Sequence, residues 1–239
     1  MEKIQIKHFK FNLFEPSIQN RNGTTIIIYH GWGTNVESYN DVAEEIAKIG
    51  HRVVVPEIVY HDTRKSLENH YTAETTQRYF WKTIYHTIDE FDEFIKQLGV
   101  PLKKTVLVGS SMGGFIANGI FAKQKNLGGL VNINGSGSFV LSEMLFREND
   151  NRTSLPFEEE LVMKQYNPVE KTNCDSPVLL MHGDSDKTIS IKGQEDYYQF
   201  LTEIENRENV NFLIYKNNNH QFSSEMVKDL LDWLVNHKF

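Results

Sequence analysis

Three short apolar runs, at residues 24–29, 52–56 and 105–108, are each bounded by turn-forming residues and carry no alternation of polar and apolar positions. Such runs suit strands buried on both faces, as in a parallel sheet covered by helices. Helical patterns fall between them. Thr34 or Asn35 can cap a helix whose apolar stripe is Val42, Ile46 and Ile49, with Gly50 closing it. Phe80, Ile84, Ile88, Phe91, Ile95 and Leu98 recur at steps of three and four across 75–98. A further helix to about residue 125 and a strand at 129–134 complete the rhythm. Alternation of this kind predicts an α/β fold, a mostly parallel central sheet with right-handed crossovers. Its functional loops then lie at the carboxyl ends of the strands.

The flanks are less regular. Residues 4–14 alternate, but the phase slips between Ile6 and Phe9, which predicts a bulge or bend in one early strand. Residues 57–73, with His61, Asp62 and His70, read as a polar, solvated loop near the site; no metal-ligand spacing supports the His61–Asp62 pair as a metal centre. Residues 139–168 read as a small helical cap inserted over the end of the sheet. Phe139, Met144 and Phe146 in it suit either the lining of an acyl pocket or simple anchorage of the cap. A strand at 178–181, a helix at 191–204, a strand at 210–215 and a closing helix with Phe222, Met226, Leu230 and Leu234 follow. With no linker or repeat, residues 1–239 are expected to form a single domain.

Composition narrows the function. A chain of 239 residues with 39% hydrophobic and 12% aromatic side chains can bury a sizeable core. A net charge of −7 without a basic stripe argues against nucleic acid as a partner. Cys174 is the one cysteine, so no internal disulfide forms. That fits a reducing compartment, with Cys174 as a small apolar filler. No apolar run approaches a membrane span. A soluble, cytoplasmic chain without a membrane partner is expected. No Gly-x-Gly-x-x-Gly opens a helix after a strand, which excludes a dinucleotide-binding enzyme.

Chemistry concentrates at the strand ends. The run 105–108 leads into Gly109-Ser110-Ser111-Met112-Gly113, and a helix follows. Gly-x-Ser-x-Gly between strand and helix is a nucleophile elbow, in which the turn projects the serine hydroxyl past the sheet toward the helix N-terminus. Ser111 is the candidate nucleophile, and Ser110 is in the wrong frame. The strand at 24–29 ends in His30-Gly31-Trp32-Gly33, a loop whose glycines allow close backbone approach. The backbone amides of Trp32 and Met112 are the candidate oxyanion donors. A serine needs a base, and the base needs a carboxylate. Asp184 and Asp186 compete after the strand at 178–181, and Asp186 is favoured, with Asp184 buttressing the turn. His220 follows the last strand and precedes the last helix. His30 and His182, directly at strand termini, are loop-shaping residues.

Together, the His30 loop, the Ser111 elbow, His182-Gly183-Asp184-Ser185-Asp186 and His220 resemble the α/β-hydrolase superfamily. The similarity is strongest to small bacterial esterases related to prolyl-oligopeptidase-like and dienelactone-hydrolase-like serine hydrolases. The resemblance implies Ser111 as nucleophile, His220 as base, Asp186 as its orienter, and Trp32 and Met112 as oxyanion amides. It implies hydrolysis of a small-molecule ester with no metal or organic cofactor, and leaves peptidase, thioesterase and lactone hydrolase as alternatives. A non-catalytic binding protein on the same fold is the remaining rival. One departure is the asparagine-rich loop before His220, where a glycine is usual.

Overall fold

A computed structural model of the chain describes residues 1–169, 171 and 175–239, and the reading of Cys174 falls outside them. Among the described residues, eight strands form one sheet. They are β1 (Glu2–Ile6), β2 (Phe9–Phe14), β3 (Thr25–Tyr29), β4 (Arg52–Pro56), β5 (Thr105–Ser110), β6 (Gly129–Ile133), β7 (Val178–Gly183) and β8 (Val210–Tyr215). Their spatial order is β1-β2-β4-β3-β5-β6-β7-β8. From β4 to β8 every pairing is parallel; β1–β2 and β2–β4 are antiparallel.

The expected bend in one early strand is corrected. The phase slip between Ile6 and Phe9 is a tight reversal, with Lys7 at φ 54°, and the two apolar sets belong to two paired strands. A hairpin turn and a bulge produce the same one-residue change of phase, so periodicity alone does not separate them.

Among the described residues, seven α-helices accompany the strands: α1 (Asn40–Lys48), α2 (Ala73–Leu98), α3 (Met112–Lys123), α4 (Phe139–Asn149), α5 (Phe157–Tyr166), α6 (Lys192–Gln199) and, after the last strand, α7 (Ser224–Asn236). The apolar strands serve both faces, as the continuous runs require. On one face Ile27, Leu107, Leu130 and Leu180 pack with Ile84, Ile88 and Phe91 of α2 and Phe115 and Ile120 of α3. On the other, Ile26, Val106, Val131 and Leu179 meet Ala43 and Ile46 of α1 and Leu230 and Leu234 of α7. Val42 and Ile49, expected in the buried stripe of α1, are only half-buried; Ala43 and Ala47 hold those places. Each fully buried aliphatic side chain stabilises the fold by roughly 1.5–3 kcal/mol.

The long α2 is punctuated at both ends. Thr72 Oγ1 accepts the Thr75 amide at 3.2 Å, and Gly99 closes the helix at φ 69°. Between β6 and β7, α4 and α5 pack against each other in the segment expected to form a cap. Among the described residues no helix is long and apolar enough to cross a membrane.

Candidate active site

The elbow is built by steric necessity. Ser111 sits at φ 56° and ψ −121°, a strained conformation for a residue with a side chain. A Cβ on Gly109 would lie 2.0 Å from the Gly113 carbonyl oxygen, and one on Gly113 would lie 1.9 Å from that of Tyr29. Only glycine lets the turn close so tightly between β5 and α3. The Ser111 amide donates to the Ile133 carbonyl of the neighbouring strand at 2.8 Å. Ser110, one residue back, is buried and hydrogen-bonds with Tyr39.

The tertiary fold brings three of the sequence candidates into one line. Nε2 of His220 lies 2.7 Å from Ser111 Oγ, and Nδ1 lies 2.7 Å from Asp186 Oδ2. The other carboxylate oxygen of Asp186 accepts the amides of Thr188 at 2.8 Å and Ile189 at 3.0 Å. Burial alone would push the Asp186 carboxyl up. The hydrogen bonds of His182 and His220, the charge of His220 and the Ile189 amide outweigh burial and hold it well below the usual carboxylate range. In such a chain an imidazole can take the hydroxyl proton while the carboxylate stabilises the cation.

Asp184 is exposed and does not reach His220; its Oδ1 accepts from Ser185 Oγ and from the Asn217 amide at 2.8 Å. It braces the turn. The asparagine-rich loop has a matching account. Asn217 adopts φ 54°, Asn218 accepts the Ser185 amide through its carbonyl, and Asn219 Oδ1 accepts the Lys187 amide. Asparagine tolerates the left-handed region, so the loop needs no glycine there. His182 is fully buried, with Nε2 3.1 Å from the Ile189 carbonyl and 3.4 Å from Asp186 Oδ2.

Sequence reasoning missed Asn134. It is buried at φ 49°, accepts the Gly183 amide on Oδ1 at 3.0 Å and donates from Nδ2 to the Gln221 carbonyl at 3.0 Å. One side chain thus joins the loop of Asp186 to the loop of His220. An asparagine directly after a buried strand was the available signal.

Gly31 and Trp32 lie beside the serine. A Cβ on Gly31 would be 3.3 Å from Ser111 Cβ and 3.8 Å from Ser111 Oγ. The Thr34 amide closes a turn on the Gly31 carbonyl, leaving the Trp32 amide at the second position outside that bond. Met112 opens α3, so its amide has no intrahelical acceptor.

The expected solvated loop at 57–73 is exposed at Lys65, Ser66, Glu68 and Asn69, but it is corrected at His61 and Asp62. His61 is fully buried, and the Asp62 side chain is 3% exposed. Asp62 receives His30 Nε2 at 3.0 Å and the amides of Val36 and Ile58, while His61 Nε2 accepts the Gly33 amide at 3.0 Å. Trp32 Nε1 donates to the His70 carbonyl at 2.8 Å. Polar composition reads as solvated, yet these groups are buried because each finds a partner across the fold. His30 shapes this loop.

A cavity of about 340 Å³ opens beside Ser111. Phe146 lines it, whereas Phe139 is fully buried against Trp81 and Phe115, and Met144 is 45% exposed. The apolar residues of α4 therefore divide between lining, anchorage and solvent.

The sequence profile of the Dienelactone hydrolase family matches residues 9–230. The Escherichia coli (strain K12) protein Esterase YjfP is 28% identical over 193 residues, covering 74% of each chain. Acyl-protein thioesterase 1 of Yarrowia lipolytica (strain CLIB 122 / E 150) is 24% identical over 232 residues, covering 88% of this chain and 90% of its own. The monoacylglycerol lipase structure from Paleococcus ferrophilus superposes with a TM-score of 0.68 at 15% identity, over 100% of both chains. The chain belongs to the dienelactone hydrolase family and is an esterase-type hydrolase of the α/β-hydrolase superfamily.

Proposed function

We propose that the chain is a serine carboxylesterase that hydrolyses small or medium acyl esters through an acyl-enzyme on Ser111. His220 takes the proton of Ser111 Oγ as the oxygen attacks the ester carbonyl, and Asp186 orients the imidazole and stabilises its cation. The amides of Trp32 and Met112 donate to the oxyanion of the tetrahedral intermediate. Losing one such donor typically costs about 3–4 kcal/mol of barrier. The alcohol leaves with the proton from His220; water then attacks the acyl-enzyme by the same steps and releases the acid. Neither metal nor organic cofactor takes part. We assign this activity to the cytoplasm and to small molecules, not to nucleic acid or a membrane.

The observation that carries the reading is the pair of 2.7 Å contacts joining Ser111, His220 and Asp186. A fluorophosphonate probe should label the protein and fail to label Ser111→Ala, with p-nitrophenyl acetate turned over by the former alone. Well-folded protein that is neither labelled nor active would overturn the serine mechanism. Thioester hydrolysis on the same triad is the second reading, favoured by the similarity to a protein named as a thioesterase. Matched ester and thioester substrates decide between them by kcat/KM.

A further inference from the structure

The cavity beside Ser111 has a wall of rings. Trp32, Phe80, Trp81 and Phe146 line it, while Ala73 and Ile189 are its aliphatic side chains. Phe80 stands edge-on to Trp81 at 83° and 5.4 Å, and to Phe146 at 90° and 5.8 Å. Trp32 meets Phe80 at 66° and 5.9 Å. Interlocked rings of this kind present fixed faces and edges to a guest, which rewards a planar aromatic guest over an alkyl group of equal size.

The same cavity carries a buried polar pair. Glu143, with its side chain 6% exposed, accepts Trp81 Nε1 on Oε2 at 2.7 Å, so the ring of Trp81 is locked in orientation. Its Oε1 accepts Arg147 Nε at 2.7 Å and Arg152 Nη1 at 2.9 Å. Arg152 Nε donates to Asp150 at 3.1 Å. Both carboxylates are thus paired with a guanidinium, which leaves Lys187 as the remaining charged side chain of the lining. Ring-lined cavities also take organic cations, but the Lys187 side chain lining this one opposes a second cation. Within this polar pair one acceptor and one donor remain, while Thr76, Gln77, Asn149, Lys187 and Thr188 make up the rest of the polar lining. Oε2 has a single hydrogen bond, and Arg152 Nη2 has none among the described residues. A hydroxyl both donates and accepts, and so satisfies the two together.

We infer that this cavity takes an aromatic ring of the substrate bearing a hydroxyl group, with the ring against Trp32, Phe80, Trp81 and Phe146 and the hydroxyl between Glu143 and Arg152. The inference rests on the serine-esterase reading and names its substrate class.

The test uses three methyl esters of equal length: 3-cyclohexylpropanoate, 3-phenylpropanoate and 3-(4-hydroxyphenyl)propanoate. A mirrored set carries the same rings in the alcohol of an acetate. In one of the two sets kcat/KM should rise from a few-fold to about tenfold on going from cyclohexyl to phenyl. It should rise by about tenfold again for the hydroxyphenyl ester. Arg152→Gln and Glu143→Gln should bring the hydroxyphenyl-to-phenyl ratio to about one. That ratio is taken within one protein, so a general loss of activity does not move it. Should Glu143→Gln fail to fold, Arg152→Gln, at a partly exposed turn position, supplies the same ratio. Dissociation constants of the six esters on Ser111→Ala protein, read by calorimetry, should follow the same order without any chemistry. Equal affinity for cyclohexyl and phenyl rings, or a hydroxyl preference that survives Arg152→Gln, would overturn the inference. Absent labelling of Ser111 together with a retained ring preference in binding would instead overturn the serine-esterase reading alone.

Discussion

Gly33 donates its amide hydrogen to Nε2 of His61 across 3.0 Å. A ring nitrogen accepts only when it carries no proton, so a neutral imidazole is built into the loop that presents Trp32. Burial is the main cause, and the nearby His30 the next, of a His61 pKa pushed down to about 3. His70 adds to the effect, while the Val59 carbonyl and Asp62 oppose it.

Stability should therefore depend on pH in a defined window. The folded pKa of about 3 lies below the ordinary histidine value of 6.5, so the unfolded chain binds one more proton between them. Stability is full above that ordinary value and falls as pH drops, by up to about 1.4 kcal/mol per pH unit from this group. Urea midpoints at about pH 7.5 and about pH 5 should differ in the native chain, and differ less in His61→Gln. Equal midpoints in the native chain would rule out a neutral buried His61. Asp186 acts in a lower window. Its depressed folded pKa contributes stability that is present above the usual carboxylate value and lost as pH falls through the folded one.

Asp62 holds His30 and the amides of Val36 and Ile58 around the Trp32 loop. Asp62→Ala should lower kcat by about 10²-fold if it displaces the Trp32 amide, the size of losing one oxyanion donor. KM should change much less. A rise in KM with kcat intact would place the effect on substrate binding instead.

The two aspartates of the β7 loop should separate sharply. Asp186→Asn keeps the shape but presents an amide to His220, and kcat should fall by about 10⁴-fold. Asp184→Asn alters only the brace to Ser185 and Asn217 and should cost less than about tenfold. Steady-state kinetics on one ester decide it, and the reverse order would transfer the role to Asp184.

Asn134 joins the loops of Asp186 and His220 through Gly183 and Gln221. Asn134→Gly keeps the left-handed backbone and removes both hydrogen bonds. A drop of about 10–100-fold in kcat, with a folded circular dichroism spectrum and a proportionately slower reaction with fluorophosphonate, is expected when His220 loses its position. Full activity in this variant would show that the loops hold their places without it.

Gly113→Ala should not yield folded protein, because its Cβ would meet the Tyr29 carbonyl oxygen at 1.9 Å. Gly99→Ala, where nothing lies within 4 Å but φ is 69°, should cost only roughly 1–2 kcal/mol. Thermal or urea melts of the two compare steric collision with backbone strain alone.

The two-sided apolar runs and the stripe of Phe80, Ile84, Ile88, Phe91 and Ile95 determined the parallel sheet and its helices from sequence alone. Burial periodicity is a local property that each segment carries in itself. The convergence of Ser111, Asp186 and His220 was legible for a related reason: each lies in the turn or loop that follows a strand, and in a parallel sheet those loops gather at one edge. Residues whose role depends on partners far along the chain were not legible. The early strand was a hairpin, since a turn and a bulge shift phase alike. His61 and Asp62 read as solvated, because nothing local reveals that Gly33, His30 and Val36 come to meet them. Asn134 was silent for the same reason. Phe139, Phe146 and Met144 look alike in sequence, yet the packing of α4 over the sheet alone decided which is anchored, which lines the cavity and which faces water.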